Sequence, residues 1–247
     1  MAELTFQFIG SGNAFAPGGL CWNGFVANGR YLFETPPQAL MALNRLNINP
    51  NDLECVVISH HHGDHFLGLP FLLLHWKHLG RGRPVTIVGP RGTRALAQAI
   101  CDRTYPGVMD APYGIDWIEA EPTRPIIVAG LQLTPVEVNH DPRLSQNLGY
   151  ACTLDDRTFA YTGDSAICDG VLSLARQAEV LVSECTSRAE VIPLHMNLVD
   201  DMRKLRAALA PEATLLLTHL DADVASGDEI GELHRTVVAR DFGSFRF

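Results

Sequence analysis

The sequence lacks the marks of disulfide-rich, exported and membrane-spanning proteins. Its six cysteines are scattered and form no Cys-x-x-Cys pair, which argues against a disulfide framework and against a separate structural zinc site. The first residues contain neither the basic segment nor the apolar segment of a signal peptide, and no apolar run approaches the length of a membrane span. We therefore expect a soluble protein that resides in the reducing cytoplasm.

Positive charge is also scarce. The 19 lysines and arginines are outnumbered by 28 aspartates and glutamates, which gives a formal net charge of −9. Because affinity for a polyphosphate chain comes mainly from basic side chains, this balance disfavours a long nucleic acid as the partner. A small molecule is the expected partner, and it could be anionic, since bound metal ions would add positive charge locally.

Internal repeats and low-complexity segments are absent as well. With 247 residues, 47% of them apolar, the chain can bury a large core, and we expect one domain over residues 1–247. A tight turn at Asn28–Gly29 predicts a hairpin. Farther along, Asn197 is the expected N-cap of a helix, and residues 227–239 are expected to form the last helix.

One short stretch concentrates the chemistry, namely residues 59–65 with the sequence Ser-His-His-His-Gly-Asp-His. It follows an apolar β-branched run typical of a buried strand and precedes an apolar segment typical of a helix. In an extended segment alternate side chains share a direction, so His60 and His62 can bind one metal ion while His61 points elsewhere. Asp64 and His65 fall where the chain turns, and they can face a second metal.

Other polar residues follow predicted strands. His140, Asp164 and His219 each come directly after such a strand, as His60 does. Because strand ends at one edge of a sheet meet in space, these distant residues can build one cavity. A glycine-rich loop over residues 10–19 is either a flexible edge loop or a border of that cavity.

The pattern His-x-His-x-Asp-His over residues 60–65 resembles the signature of the metallo-β-lactamase superfamily. The resemblance implies an α/β fold, an αββα four-layer sandwich, with two divalent metal ions at one edge. By this resemblance the first metal is held by His60, His62 and His140, the second by Asp64, His65 and His219, and Asp164 bridges them. Zinc is the default ion, although mixed histidine and carboxylate sites also accept manganese and iron.

Glu184 and His195 narrow the resemblance to the ribonuclease Z branch, in which a glutamate supports a histidine that helps the leaving group depart. By this resemblance the catalytic residues are Asp64, Glu184 and His195, and homodimers are common in the family. Nothing between Gly92 and Pro125 resembles the long Gly/Lys-rich arm with which that branch grips transfer RNA.

The sequence thus predicts a binuclear metal-dependent hydrolase, a phosphodiesterase acting on a small phosphodiester or nucleotide-like substrate. Two alternatives remain open. A thioester or lactone hydrolase could use the same seven ligands. A non-catalytic metal-binding protein, similar to the pyrroloquinoline-quinone accessory branch of the superfamily, is the other.

Overall fold

The computed structural model describes residues 3–226 and 233–247, which form two seven-stranded sheets with helices on their outer faces. The first sheet has the order β14-β1-β2-β3-β4-β5-β6. Its strands are β1 (Thr5–Gly10), β2 (Gly24–Ala27), β3 (Tyr31–Phe33), β4 (Cys55–Val57), β5 (Val85–Gly89), β6 (Ile115–Glu119) and β14 (Ser244–Arg246).

The second sheet has the order β13-β12-β11-β10-β9-β8-β7. Its strands are β7 (Ile126–Val128), β8 (Leu131–Glu137), β9 (Leu148–Leu154), β10 (Arg157–Tyr161), β11 (Val180–Glu184), β12 (Thr214–Thr218) and β13 (Thr236–Val238). The helices are α1 (Ala39–Arg45), α2 (Gly63–Phe66), α3 (Leu69–His78), α4 (Thr93–Thr104), α5 (Asp169–Gln177), α6 (Asp201–Ala208) and α7 (Ala222–Ala225). None of the helices in this part of the chain is long and apolar enough to cross a membrane.

Three apolar clusters divide the molecule into four layers. The cluster between the sheets is rich in aromatic rings, with Phe25 stacked on Phe33 at a centroid distance of 4.7 Å. A second cluster joins α1, α3 and α4 to the outer face of the first sheet, and a third joins α5 and α6 to the outer face of the second. The predicted αββα sandwich is confirmed.

Strand direction brings the polar residues that follow the strands to one edge of each sheet. In the second sheet β10, β11, β12 and β13 are parallel, and β8 runs the same way because β9 is antiparallel to both β8 and β10. In the first sheet β3, β4, β5 and β6 are parallel. The residues after these strands therefore gather at the carboxyl edge of each sheet.

The structure confirms the predicted hairpin and decides between the two alternatives for the glycine-rich loop. The hairpin between β2 and β3 turns at Asn28 and Gly29, whose φ angles of 46° and 68° are those of a type I′ turn. The glycine-rich loop borders the segment that carries His219, since the amide of Asn13 donates to Leu220 O at 3.0 Å. It is a border of the site rather than a free edge loop.

The predicted cap of α6 is wrong, and part of the predicted last helix is a strand. Asn197 is not the cap of α6, which begins only at Asp201; its Oδ1 instead accepts from the amide of Asp200 at 2.8 Å and closes a preceding turn. Of the predicted helix 227–239, residues 227–232 lie outside the described part of the chain, and Thr236–Val238 form β13. The reason is tertiary: β12 offers a partner edge, and Val237 and Val238 pack on opposite faces of the sheet.

Candidate metal centre

The stretch after β4 presents its side chains alternately. His60 and His62 face the same pocket, with ring centroids 4.7 Å apart, while the Nε2 of His61 lies 2.8 Å from Thr93 Oγ1 on another side. Helix α2 begins at Gly63, so Asp64 and His65 lie on its first turn and face inward beside the two histidines. A single strand-to-helix turn therefore supplies four inward-facing groups.

Distant strand ends complete the cluster. The ligand atoms of His60, His62 and His140 all lie within 4.8 Å of one another, and the same is true of Asp64, His65 and His219. Asp164 lies between these two triads. Its Oδ2 is 3.9 Å from His60 Nε2, 3.3 Å from His65 Nε2 and 3.1 Å from His219 Nε2. The structure brings together all seven residues that the resemblance singled out as ligands.

Several buried polar atoms in the cluster have no hydrogen-bond partner among the described residues. These atoms are His60 Nε2, His65 Nε2, His219 Nε2, Asp64 Oδ2 and Asp164 Oδ1. Leaving such atoms unsatisfied away from water is costly, and native structures rarely do so. Imidazole nitrogens and carboxylate oxygens converging in this way are a donor set that suits divalent metal ions. The residues present therefore fit a two-metal centre.

Each histidine of the cluster directs one ring nitrogen inward and the other toward an outer partner. Four of these contacts are hydrogen bonds: Ser59 Oγ to His60 Nδ1 at 2.9 Å, Asp141 Oδ2 to His62 Nε2 at 3.2 Å, Leu194 O to His140 Nδ1 at 3.1 Å and Thr186 Oγ1 to His219 Nδ1 at 2.9 Å. The fifth, Glu34 Oε1 to His65 Nδ1 at 3.6 Å, is an ion-pair contact that is too long for a hydrogen bond. Such partners fix the orientation of a ligating imidazole and which of its nitrogens carries the proton.

Glu34 is a site residue that sequence reasoning missed. It is fully buried, its carboxylate accepts from the amide of Ser59, and it sits at φ 65° directly after β3. A left-handed backbone conformation is uncommon for a residue with a side chain. Here it directs the Glu34 carboxylate toward His65 Nδ1. The available signal was its position, because the other site residues also follow strands.

The electrostatics favour neutral imidazoles at His60 and His140 and ionised carboxylates at Asp64 and Asp164. Burial lowers the pKa of His60 and of His140, so both are neutral and able to bind a cation at ordinary pH. Burial would raise the pKa of Asp64 and Asp164, but the neighbouring histidines, His65 and His219 foremost, outweigh it and hold both below the usual range.

The pKa of His65 is shifted in the opposite direction from that of His60 and His140. Burial would lower its pKa, but Asp164, Asp64 and Glu34 surround the ring and raise the pKa well above its ordinary value. Three carboxylates around one buried imidazole form a strongly negative environment. Such an environment favours bound positive charge, which divalent cations would provide.

The predicted pair Glu184 and His195 adjoins the cluster. Glu184 Oε1 lies 2.9 Å from His195 Nδ1 and also accepts from the amide of Ser165, while Oε2 accepts from Thr186 Oγ1 at 2.7 Å. The ring of His195 stacks on that of His219 at 5.5 Å and remains 18% exposed. Although burial acts to lower it, the carboxylate of Glu184 raises the pKa of His195 to about 9, so that His195 carries a proton at neutral pH.

Comparisons with known proteins agree with this architecture. The sequence model of the family described as the β-lactamase superfamily domain matches residues 30–220. Among curated proteins, the ribonuclease Z of Methanosarcina mazei is 26% identical over 249 residues, covering 82% of this chain and 81% of its own.

Two solved structures share the fold over nearly the whole chain. A diphosphatase of the PhnP family superposes with a TM-score of 0.79 at 19% identity, over 99% of this chain and 98% of its own. The short form of human tRNase Z gives 0.75 at 18% identity, over 98% of each chain. From the family match and these relatives, the chain belongs to the β-lactamase superfamily and is a ribonuclease Z-like, metal-dependent hydrolase.

Proposed function

We propose that the chain is a binuclear phosphodiesterase whose substrate is a small phosphodiester or nucleotide-like molecule. The observation that carries the proposal is the pairing of two ligand triads around Asp164 with a proton-bearing histidine beside them. His60, His62 and His140 would hold the first metal; Asp64, His65 and His219 would hold the second; and Asp164 would serve both. A carboxylate suits the bridge because each of its oxygens can bind one cation.

The protein residues supply proton transfer and orientation. Bound divalent ions would add Lewis-acid stabilisation of the phosphoryl oxygens and a water whose pKa falls toward about 7. Asp64 orients the attacking water or accepts its proton. His195 donates its proton to the leaving oxygen, and Glu184, fixed by three further hydrogen bonds, holds the ring in position. Zinc is our proposed ion.

The shape and charge of the chain support a small substrate. Between Gly92 and Pro125, α4 packs on the outer face of the first sheet and β6 pairs with β5. The net charge of −9 gives little attraction for a long polyphosphate chain. Relatives named ribonuclease Z and a structural neighbour named diphosphatase both support attack on a phosphorus ester or anhydride. Homodimerisation stays a prediction.

The test compares three substrate classes on the same metal-reconstituted protein. Protein reconstituted with zinc, manganese or iron is assayed with bis(p-nitrophenyl) phosphate, a thioester and a lactone, and its metal content is measured in parallel. We expect turnover of the phosphodiester and its loss in Asp64→Ala. His78→Ala, a change at an exposed histidine of α3, is the matched control and should retain full activity.

Two results would contradict the proposal. Turnover of the thioester or lactone alone would make the chain a carboxylic ester hydrolase with the same metal site. Full metal occupancy without turnover of any of the three substrates would support a non-catalytic metal-binding role.

A further inference from the structure

A cavity of about 620 Å³ lies at the end of the second sheet opposite the metal centre. It is bounded by Val180 and Thr214, the first residues of β11 and β12, whereas Glu184 is the last residue of β11 and His219 directly follows β12. Each strand has five residues, which span about 16 Å, so the cavity is separate from the metal centre. Its volume is within the range of small-molecule sites, about 300 to 1,000 Å³.

Arginines dominate the charged lining of this cavity. The four that line it are Arg157, Arg176, Arg235 and Arg246, which come from four separate segments of the chain. Only two acidic side chains, Glu179 and Glu212, are among the described lining residues. This local excess of positive charge stands out in a chain whose net charge is −9. Residues so far apart in sequence meet here only through the fold.

The arginines differ in whether their guanidinium groups have partners within the protein. Arg157 is held in place, with Nε donating to Glu179 Oε2 at 2.6 Å and Nη1 donating to Phe247 O at 3.1 Å. For the side chains of Arg176, Arg235 and Arg246, no hydrogen bond or ion pair is found within residues 3–226 and 233–247. Three guanidinium groups thus keep their donors available at one cavity.

A fifth arginine lies directly behind the cavity. Arg206 donates to the carbonyl oxygens of Ala213 and Ala210, both of which line the cavity. Burial first, and then the like charge of Arg235, lower the pKa of Arg206. Crowding of like charges destabilises the folded protein unless anions offset it. The site is therefore one at which a bound anion would relieve repulsion.

We propose that this cavity binds a small ligand carrying two or more phosphate groups, of the size of a nucleoside diphosphate. A guanidinium group presents paired donors that match phosphate oxygens, and several arginines around one cavity can engage more than one phosphate. Ala210 and Phe247, which are partly exposed at the cavity, provide apolar surface for the remainder of the ligand. The assignment is independent of the substrate proposed for the metal centre.

The experiment measures binding of methylenediphosphonate to the metal-loaded protein by titration calorimetry at low salt, since this probe resists hydrolysis. ADP is measured as a second probe. The cavity variant is Arg176→Ala/Arg246→Ala, which changes two exposed side chains, and the matched control is Arg94→Ala/Arg103→Ala on α4, which removes the same charge elsewhere. Asp164→Ala identifies any binding that belongs to the metal centre.

We expect the cavity variant to bind the probe about 10-fold more weakly or worse, because hydrogen bonds between charged groups are lost. The α4 control and Asp164→Ala should retain this binding event, and the cavity variant should keep wild-type turnover and thermal stability. Equal weakening in the α4 control would show diffuse attraction and overturn the proposal. Binding that disappears only in Asp164→Ala would assign the probe to the metal centre and also overturn it.

Discussion

The two ends of β11 and β12 differ in the sign of the charge on the ligand that their surroundings suit. At the carboxyl ends, Glu184 and His219 are almost fully buried and face other buried imidazoles and carboxylates. At the amino ends, exposed arginines surround an open cavity. One end thus collects ligands for cations and the other collects donors for anions, although the same strands connect them.

The two ends also differ in how strongly their charged groups interact, because one set is buried and the other is exposed. The carboxylates and imidazoles of the metal centre are withdrawn from water, so their interactions are strong and any imbalance among them is costly. At the cavity Arg176, Arg235 and Arg246 are exposed to water, so each contributes little to stability until a ligand binds. We therefore expect substitutions at the buried end to change chemistry and metal content, and substitutions at the exposed end to change only ligand binding.

The largest expected effect is that of Asp164→Ala. Removal of the carboxylate between the triads should reduce the bound metal and lower turnover by about 10³-fold or more, because Lewis-acid stabilisation worth several kcal/mol is lost. Metal analysis and phosphodiester turnover check this. Wild-type metal content in the variant would show that Asp164 does not bridge.

His195→Ala should lower kcat by about 10²- to 10⁴-fold through loss of the general acid. Because His195 lies outside both triads, the metal content should not change. Loss of metal together with activity would make His195 a ligand rather than an acid. Assays with a substrate whose leaving group needs no proton should recover part of the lost rate.

The pH profile tests Glu184 separately. The carboxylate raises the pKa of His195 to about 9, so the acid form persists through neutral pH and is lost as the pH rises through that value. Activity should therefore fall on the alkaline side. In Glu184→Gln the charge is removed, the pKa of His195 falls, and the alkaline limb should move to lower pH. If the alkaline limb does not move in Glu184→Gln, a group other than His195 causes the loss of activity at high pH.

Asp141→Asn should weaken metal binding about 10- to 100-fold, since the carboxylate that orients His62 is lost. Competition with a chelator measures this affinity. Arg143 donates to the same carboxylate but is 86% exposed, so Arg143→Ala is the matched control and should have a much smaller effect. Equal effects would show that the ion pair, rather than the carboxylate alone, orients the ring.

The smallest expected effect is that of Arg176→Ala at the far end. It should change the free energy of unfolding by less than about 0.5 kcal/mol and leave turnover unchanged, because the side chain is exposed and has no partner among the described residues. Denaturant unfolding and the phosphodiester assay check this. A large loss of either would mean that the two ends of the strands are coupled.

Sequence reasoning was most reliable where local pattern and tertiary context agree. The turn at Asn28–Gly29 was predicted and is observed between β2 and β3, because the preference of Asn-Gly for positive φ angles agrees with the pairing of these two strands. The helix predicted over residues 227–239 was wrong at Thr236–Val238, where pairing with β12 outweighed local preference.

The sequence by itself determined which side chains are candidates for the metal centre, since the spacing of residues 60–65 and the polar residues after strands identify them. Only the tertiary structure decided that Glu34 lies beneath His65, that Thr186 and Asp141 orient the imidazoles, and that four arginines surround one cavity. The physical reason is distance along the chain. Spacing within a turn fixes direction locally, but contacts between remote segments depend on strand order and register, which no local pattern encodes.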